Sequence, residues 1–453
     1  MRACAPPTWE ATRMSDPNLV PTRTPPSLWA ASARPAPATS GLGAAQAKAD
    51  VVVIGGGFTG LCAALRLAQS GVDAVLLEAA ELGWGGSGRN NGQVIPCLSR
   101  SDPDALVHAF GADKGEAFVA LVRDSASITF ELIRRHGIEC EAVQNGWVQP
   151  AHTAGRMELA QSRYQQWKRR GADVELLNRE QVSAITGSPY WHGGWQNRTG
   201  GHINPLGLAR GLADAALKAG ARIFTQSPAL GVTPAGSGWR VATAGGAVTA
   251  NKVIIGTQAY SGFFAPALWP RLARTVVPVR SYQMATPPLA PAVRRKILPQ
   301  NHTMSDTHGD LYFCHFDSAG RLVTGGALMF HHDYERRLKD RIGARMAMLF
   351  PALRDAGPLQ FEHVWHGDIA MTVDALPHMH KLADGVYAWL GDNGRGVALA
   401  MALGGVLADA ARGVPEATLP LPLMPLAPLP MHTMLAKNAL LALAGYRWHD
   451  RFG

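Results

Sequence analysis

The sequence predicts an α/β chain, a domain wound on a parallel sheet joined to a second, α+β domain built on an antiparallel sheet. Three observations predict it. From Ala49 to Glu78 the order is strand, glycine turn, helix, strand. From Val386 to Gly413 a strand again runs into a glycine turn and a long apolar helix. Between them, Val276 to Phe330 is rich in short strands punctuated by Pro and Gly.

Val51 to Ile54 is a β-branched apolar run bounded by Asp50 and Gly55, as suits a parallel strand covered on both faces. Gly55, Gly57 and Gly60 occupy the G-x-G-x-x-G positions, with Phe58 and Thr59 between the last two. The first glycine permits the tight turn, the second a close backbone approach to pyrophosphate, and the third helix-on-strand packing. From Thr59 the period becomes helical, with Leu61, Ala64, Leu65 and Ala68 on one face and Gly71 where a left-handed C-cap is usual. Such a helix aims its free N–H groups at phosphate. Ala74 to Leu77 forms the second strand and Glu78 ends it, followed by Ala79. That carboxylate suits a ribose diol and would repel a 2′-phosphate, and no Arg occurs from Ala79 to Gly86 to reverse this. The unit is therefore read as a Rossmann-like dinucleotide seat. Beyond it lies a further Gly-rich loop, GWGGSGRNNGQ, with a counterpart turn at Gly391 to Val397, and the two together favour FAD over NAD.

The 453 residues suffice for two or three domains, and an apolar fraction of 47% with 17% charged residues describes a globular chain. The net charge is +9, but no Lys/Arg block or aromatic-interleaved basic run appears. A nucleic-acid partner is not expected. Five scattered cysteines (Cys4, Cys62, Cys97, Cys140, Cys314) without C-x-x-C spacing argue against a zinc site or disulfide framework and for a reducing compartment. Residues 1–49 lack the apolar core of a signal peptide, and no run approaches the length of a membrane span. The reading is cytoplasmic, with Met14 an alternative start.

Helical periodicity is expected over Asp102 to Arg135 and Leu159 to Arg170. An Asn-Pro entry opens another helix after His202, which ends at Gly220 before a strand. A hairpin from Trp239 leads into a strand ending at Gly256 and Thr257, and a further helix surrounds Arg336 to Phe350. The expected division is a lead over 1–49, partly extended, and an FAD-binding domain over 50–100, 200–262 and 360–413. The substrate domain takes 101–199 and 263–359, and a C-terminal strap and short helix take 414–453.

Four ordered blocks then carry a resemblance: GWGGSGRNNGQ (Gly83 to Gln93), GGHINPL (Gly200 to Leu206), VVPVRSYQMAT (Val276 to Thr286) and LGDNGRGVALA (Leu390 to Ala400). From about Trp29 to Gly413 the chain resembles the D-amino-acid oxidase and sarcosine oxidase group of FAD-dependent oxidoreductases, most closely its gamma-glutamylputrescine oxidase-like branch. The resemblance implies that Gly85, Ser87, Gly88, Arg89 and Asn90, with Asn91, Gly92 and Gln93, wrap the pyrophosphate and the flavin edge. It implies that Gly391, Asn393, Gly394, Arg395, Gly396 and Val397 meet the isoalloxazine, where a helix N-terminus favours the charge of reduced flavin. Ala229, Gly256 and Thr257 complete the expected cofactor set. Relatives that attach flavin through Cys do so where this chain has Gly367 and Asp368, and those with a His linkage use the Arg89 stretch, so FAD is expected to be non-covalent. Asn91 stands where relatives often carry a second Gly, and is expected to absorb a positive φ. Cys314 and His315 stand where the family tends to place an Arg.

The implied chemistry is oxidation of a C–N bond of a primary or secondary amine, an amino acid or a polyamine conjugate such as gamma-glutamylputrescine. Hydride passes to flavin N5, the imine hydrolyses, and O2 or another acceptor reoxidises the cofactor, O2 giving H2O2. No catalytic side chain is singled out, because position and electrostatics suffice. Trp84, Tyr282, Tyr312 and His315 are the substrate candidates. The HVWH and PHMH stretches (His363, His366, His378, His380) have a superficially metallic look. Residues three apart on a strand face opposite sides, and the PHMH histidines lack a third ligand and are expected at the surface, so no metal is expected. The alternative function is an FAD-binding electron-transfer or assembly protein without amine chemistry of its own.

Overall fold

The computed structural model describes residues 22–329 and 332–441, together with residues 445, 448 and 450. Met14 and Cys4 lie outside the described residues.

Five strands run parallel in the order Arg222–Phe224, Ala74–Leu77, Gln46–Ile54, Ala247–Ile255, Val386–Leu390. His378–Ala383 pairs antiparallel with the last, Leu423–Met424 adds to its edge, and a hairpin of Gly231–Ala235 and Gly238–Ala242 hangs from Ala247–Ile255. The apolar runs Val51 to Ile54, Ala74 to Leu77 and Val386 to Leu390 are buried throughout, because helices and loops cover both faces of a parallel sheet. The first strand starts at Gln46, earlier than its apolar run. Its first half alternates in exposure while pairing with Ala247 to Ala250, a pattern that polar Gln46, Lys48 and Asp50 conceal.

Helix Phe58–Gln69 ends before Gly71, which takes φ +75°. It packs against the apolar helix Gly396–Ala411, and Leu61, Leu65, Leu403 and Leu407 share one core. Each such leucine contributes about 1.5–3 kcal/mol by leaving water. The crossing is close because Gly404 has no side chain, and a Cβ there would lie 2.6 Å from the Thr59 carbonyl oxygen. Helix Ala112–Arg135, expected with the substrate domain, joins this same core through Phe118, Val119 and Val122. The expected single helix over 102–135 is divided, since Gly111 at φ +81° separates Pro103–Phe110 from Ala112–Arg135.

The second sheet has eight strands in the order His363–Met371, Val277–Pro288, Arg321–Gly326, Phe313–Phe316, Thr303–Ser305, Trp147–Pro150, Gly194–Asn197, Val174–Leu177. All neighbours are antiparallel except Thr303–Ser305 with Trp147–Pro150. Helix Tyr334–Leu349 covers it with Leu338, Ile342, Met346 and Leu349 at helical spacing. One segment corrects the expected division. His363–Met371 belongs to this sheet and not to the nucleotide-binding one, because it pairs from Val277↔Met371 to Ala285↔His363.

Of the expected lead, residues 22–49 are described, and they include a short helix, Leu28–Ser32, capped by the Ser27 hydroxyl, that buries Trp29. In the strap expected within 414–453, Leu419 and Leu421 are buried in the helix core. Among the described residues no helix is long and apolar enough to cross a membrane.

Candidate active site

One cavity opens where the parallel strands end, as ligands do in open α/β sheets. Its lining begins with Ile54, Gly55, Gly57, Phe58 and Thr59, continues through Leu77, Glu78 and Ala79, and includes Ala229, Gly256 and Thr257. Gly55 takes φ +107°, and a Cβ on it would press the Gly256 carbonyl oxygen at 3.1 Å. A Cβ on Gly60 would lie 1.9 Å from the Gly55 carbonyl oxygen, so the third glycine is the packing residue and lies outside the lining. The Ser87 hydroxyl accepts from the Phe58 amide at 2.9 Å, and a Cβ on Gly57 would lie 2.8 Å from that oxygen. The loop thus closes directly over the turn.

Glu78 accepts from the amides of Gly56 at 2.5 Å and Ala80 at 2.8 Å. Burial pushes its carboxyl up from the ordinary value, while the amides of Ala80, Gly56 and Ala79 pull it back. Each carboxylate oxygen retains a lone pair for a hydroxyl donor.

The loop from Trp84 is braced from behind. Trp29 donates its indole N–H to the Asn90 carbonyl at 2.8 Å, Trp365 to that of Arg89 at 2.9 Å, and His315 Nε2 lies 2.6 Å from that of Asn91. Asn90 donates to the carbonyls of Ser87 and Gly86 and accepts from the Gly92 amide. Gly92, at φ +81°, takes the left-handed conformation expected of Asn91. Asn91 instead closes a side-chain turn, accepting from the Gln93 amide at 3.0 Å. Arg89 donates from Nε to the Trp84 carbonyl at 2.6 Å and lies 4.1 Å above the Trp84 ring, with Nη2 buried and unpartnered.

At the other end lie Asp392, Gly394, Arg395, Gly396 and Val397. Gly391, Asn393 and Gly394 adopt φ of +92°, +46° and +80°. Asn393 donates to the Gly391 carbonyl and accepts from the Thr372 amide. Gly88, Gly92, Gly391 and Asn393 therefore shape turns without lining the cavity. Asp392 accepts from the amides of Gly394 and Ala370, and burial pushes its carboxyl up to about 6.

Of the four substrate candidates, Trp84 lines the cavity and the other three do not. Tyr282 is buried against Tyr334. Its neighbours Ser281 and Gln283 line the cavity instead, because alternate residues of a strand face opposite sides. Tyr312 stacks on His308 beneath the Arg345 guanidinium. His315 braces the loop from behind and stacks on His202. Sequence reasoning also missed Tyr260 and Trp389 in the lining, while Asp368, expected in the flavin neighbourhood by resemblance, does line it. Tyr260 accepts from the Asp368 amide at 2.9 Å, and burial raises its hydroxyl to about 12. It follows the expected Thr257 strand end by one short turn, which was the available signal.

His380, expected at the surface, is buried, with Nδ1 3.2 Å from the Met424 carbonyl of the strap. Among the described residues no three His, Cys, Asp or Glu side chains are grouped to hold a metal.

These features fit FAD. The Gly55–Thr59 turn suits pyrophosphate, Glu78 a ribose, and the second glycine turn a ring system. The lining contains neither Cys nor His through which a flavin could be attached at those side chains. Residues 50–410 match the family described as FAD dependent oxidoreductase. The chain is 30% identical to gamma-glutamylputrescine oxidoreductase of Escherichia coli (strain K12) over 409 residues, covering 89% of this chain and 93% of that one. It is 24% identical to glycine oxidase of Geobacillus kaustophilus (strain HTA426), covering 80% and 92%. Its fold is similar to the crystal structure of the glycine oxidase from Geobacillus kaustophilus, with a TM-score of 0.66, 21% identity, and 81% and 95% of the two chains covered. L-proline dehydrogenase from P. horikoshii gives a TM-score of 0.68 at 17% identity, covering 83% and 96%. The turn, the loop and the second glycine turn lie within the matched residues, and the chain belongs to the DAO family of FAD-dependent oxidoreductases.

Proposed function

We propose that the chain oxidises a C–N bond of a primary or secondary amine, an amino acid or a polyamine conjugate, to an imine that hydrolyses to an aldehyde or keto product. One observation carries this reading. The cavity extends from the glycine turn of the parallel sheet to the face of the antiparallel sheet that bears Ser281 and Gln283. FAD, which the Gly55–Thr59 turn, Glu78 and the second glycine turn would hold, would supply the hydride acceptor, and O2 with one further proton would reoxidise it to give H2O2.

The protein's part is to hold an unprotonated amine with its C–H bond against the acceptor. Gln283 Nε2 donates to the Ser281 hydroxyl at 3.0 Å, and Gln283 Oε1 is buried without a donor. A neutral amide oxygen accepts an amine N–H without stabilising an ammonium as a carboxylate would. Asp368, the carboxylate nearby in the lining, is paired with Arg280 at 3.3 Å. The cytoplasm is the proposed compartment, in keeping with four described cysteines that are free and buried.

Aerobic incubation with a panel of amines, assayed for H2O2 and for a trapped carbonyl product, tests this reading. Peroxide and carbonyl in equal amounts from at least one amine are expected. A flavin-loaded protein that forms neither, and whose flavin no amine reduces anaerobically, supports instead the electron-transfer or assembly role.

A further inference from the structure

The C-terminal segment is anchored with apolar side chains turned outward. The Leu429 amide donates to the Arg274 carbonyl at 2.9 Å, and His432 Nε2 lies 2.8 Å from the Val276 carbonyl. Helix His432–Asn438 and the turn Ala439–Leu441 pack on strand Val277–Pro288. Further on, the Asp450 carboxylate accepts from the Gly309 amide at 2.9 Å. Yet of the nine large apolar side chains exposed among the described residues, five fall on this segment: Met431, Met434, Leu435, Leu441 and Trp448. Met431 is 67% exposed and Trp448 66%. One exposed leucine needs no explanation, whereas a group of them on one anchored segment marks an interaction surface.

The charge around these side chains is of one sign. No Asp or Glu occurs in residues 215–305 or 417–449, and the two stretches meet where Leu429 and His432 join Arg274 and Val276. Arg271, Arg274 and Lys437 are exposed on them, and among the described residues none of the three forms an ion pair. At the far end, Asp450 is held by backbone amides and Asp310 is paired with Arg345 at 2.6 Å. A second copy of the chain is a poor occupant, because a two-fold interface would set the same basic residues against each other. Nucleic acid would use the cations and leave the aliphatic side chains in water. An anionic lipid surface uses both, since aliphatic side chains and Trp enter the headgroup boundary while Arg and Lys meet lipid phosphate.

We infer that the 431–448 segment, with Arg271 and Arg274 beside it, is a docking face for the anionic surface of a lipid bilayer, lying on the membrane without spanning it. This goes beyond the amine reading and does not depend on it. The neighbouring loops also line the cavity, Phe264 and Leu268 before Arg271 and Leu311 after Asp310. Docking therefore sets the cavity beside the bilayer.

The test is co-sedimentation of the full-length, FAD-loaded protein with vesicles of phosphatidylcholine, alone or mixed with an equal amount of phosphatidylglycerol. Binding to the anionic vesicles is expected to be at least about tenfold tighter than to the neutral ones, and to weaken as salt is raised. Leu435→Glu with Leu441→Glu, and separately Arg271→Glu with Arg274→Glu, are each expected to weaken it by at least about tenfold. Retained FAD absorbance checks that the variants fold. If the leucine pair does not hold FAD, Met434→Glu decides in its place, and if the arginine pair does not, the salt dependence of the wild type does. Equal affinity for the two vesicles overturns the inference, as does anionic binding that no variant changes. A dimer in gel filtration that the leucine changes dissolve overturns it by making the face a subunit interface. Tighter binding to duplex DNA than to the anionic vesicles overturns it by assigning the face to nucleic acid.

Discussion

Trp389 donates its indole N–H to the Thr59 hydroxyl at 2.9 Å, joining the strand before the second glycine turn to the helix that opens at the first. Both residues line the cavity. The two halves of the cofactor seat, from opposite ends of the chain, thus share a buried hydrogen bond. Trp389→Phe removes the donor and is expected to cost about 1–2 kcal/mol and to weaken FAD binding by roughly 5- to 30-fold, read by flavin fluorescence. Unchanged affinity would show that the bond does not tension the seat.

Adjacent glycines in the second helix should respond in opposite directions. Gly404→Ala places a Cβ 2.6 Å from the Thr59 carbonyl oxygen and 2.8 Å from Cys62 Cβ, whereas a Cβ on Gly405 meets nothing within 4 Å. Gly404→Ala is expected to lower stability by about 1–3 kcal/mol through overpacking. Gly405→Ala should raise it by up to about 1 kcal/mol through helix propensity. Urea unfolding of both variants measures the contrast, and equal effects would contradict this helix crossing.

Asp392 gives the stability a pH dependence of definite sign. Its folded pKa, raised by burial from 3.8 to about 6, lies above the unfolded one, so the folded state binds the proton more tightly. Its contribution therefore becomes less favourable as pH rises from about 4 through about 6, by up to about 3 kcal/mol. The difference in unfolding free energy between the wild type and Asp392→Asn should fall across that window and stay flat above it. A difference independent of pH would place the carboxyl in a better solvated site.

His315 separates support from substrate binding. Nε2 lies 2.6 Å from the Asn91 carbonyl and Nδ1 3.0 Å from that of Phe316, and burial lowers its pKa. Its neutral form therefore donates to one of them. His315→Leu leaves the Asn91 carbonyl without this partner and is expected to weaken FAD binding about tenfold, with the substrate KM unchanged. A changed KM at unchanged FAD affinity would return His315 to the substrate site.

The glycine turn beneath the cavity was legible because its physics is local. Gly55, Gly57, Gly60 and Glu78 lie within one strand–turn–helix–strand unit, and their spacing alone encodes the turn and the close packing that the structure shows. The part of the antiparallel sheet that lines the cavity was not, because it depends on register. Choosing Tyr282 over Ser281 and Gln283 is a displacement of one residue, which reverses the facing on a strand. Placing His363–Met371 failed for a related reason, since its partner, Val277–Pro288, is distant in sequence. Trp29 and His315 brace the loop through carbonyl oxygens of Asn90 and Asn91, and a contact to backbone leaves no signature in the partner's side chain. Arg395 was expected in the cofactor set from its turn, whereas its burial in the cavity lining beside Trp147 is visible only in three dimensions.

The central claim is most directly tested by anaerobic titration of the FAD-loaded protein with amines, with and without a carboxylate, while the flavin absorption near ~450 nm is followed. The account predicts bleaching by at least one amine. A flavin that stays oxidised with every amine would contradict it.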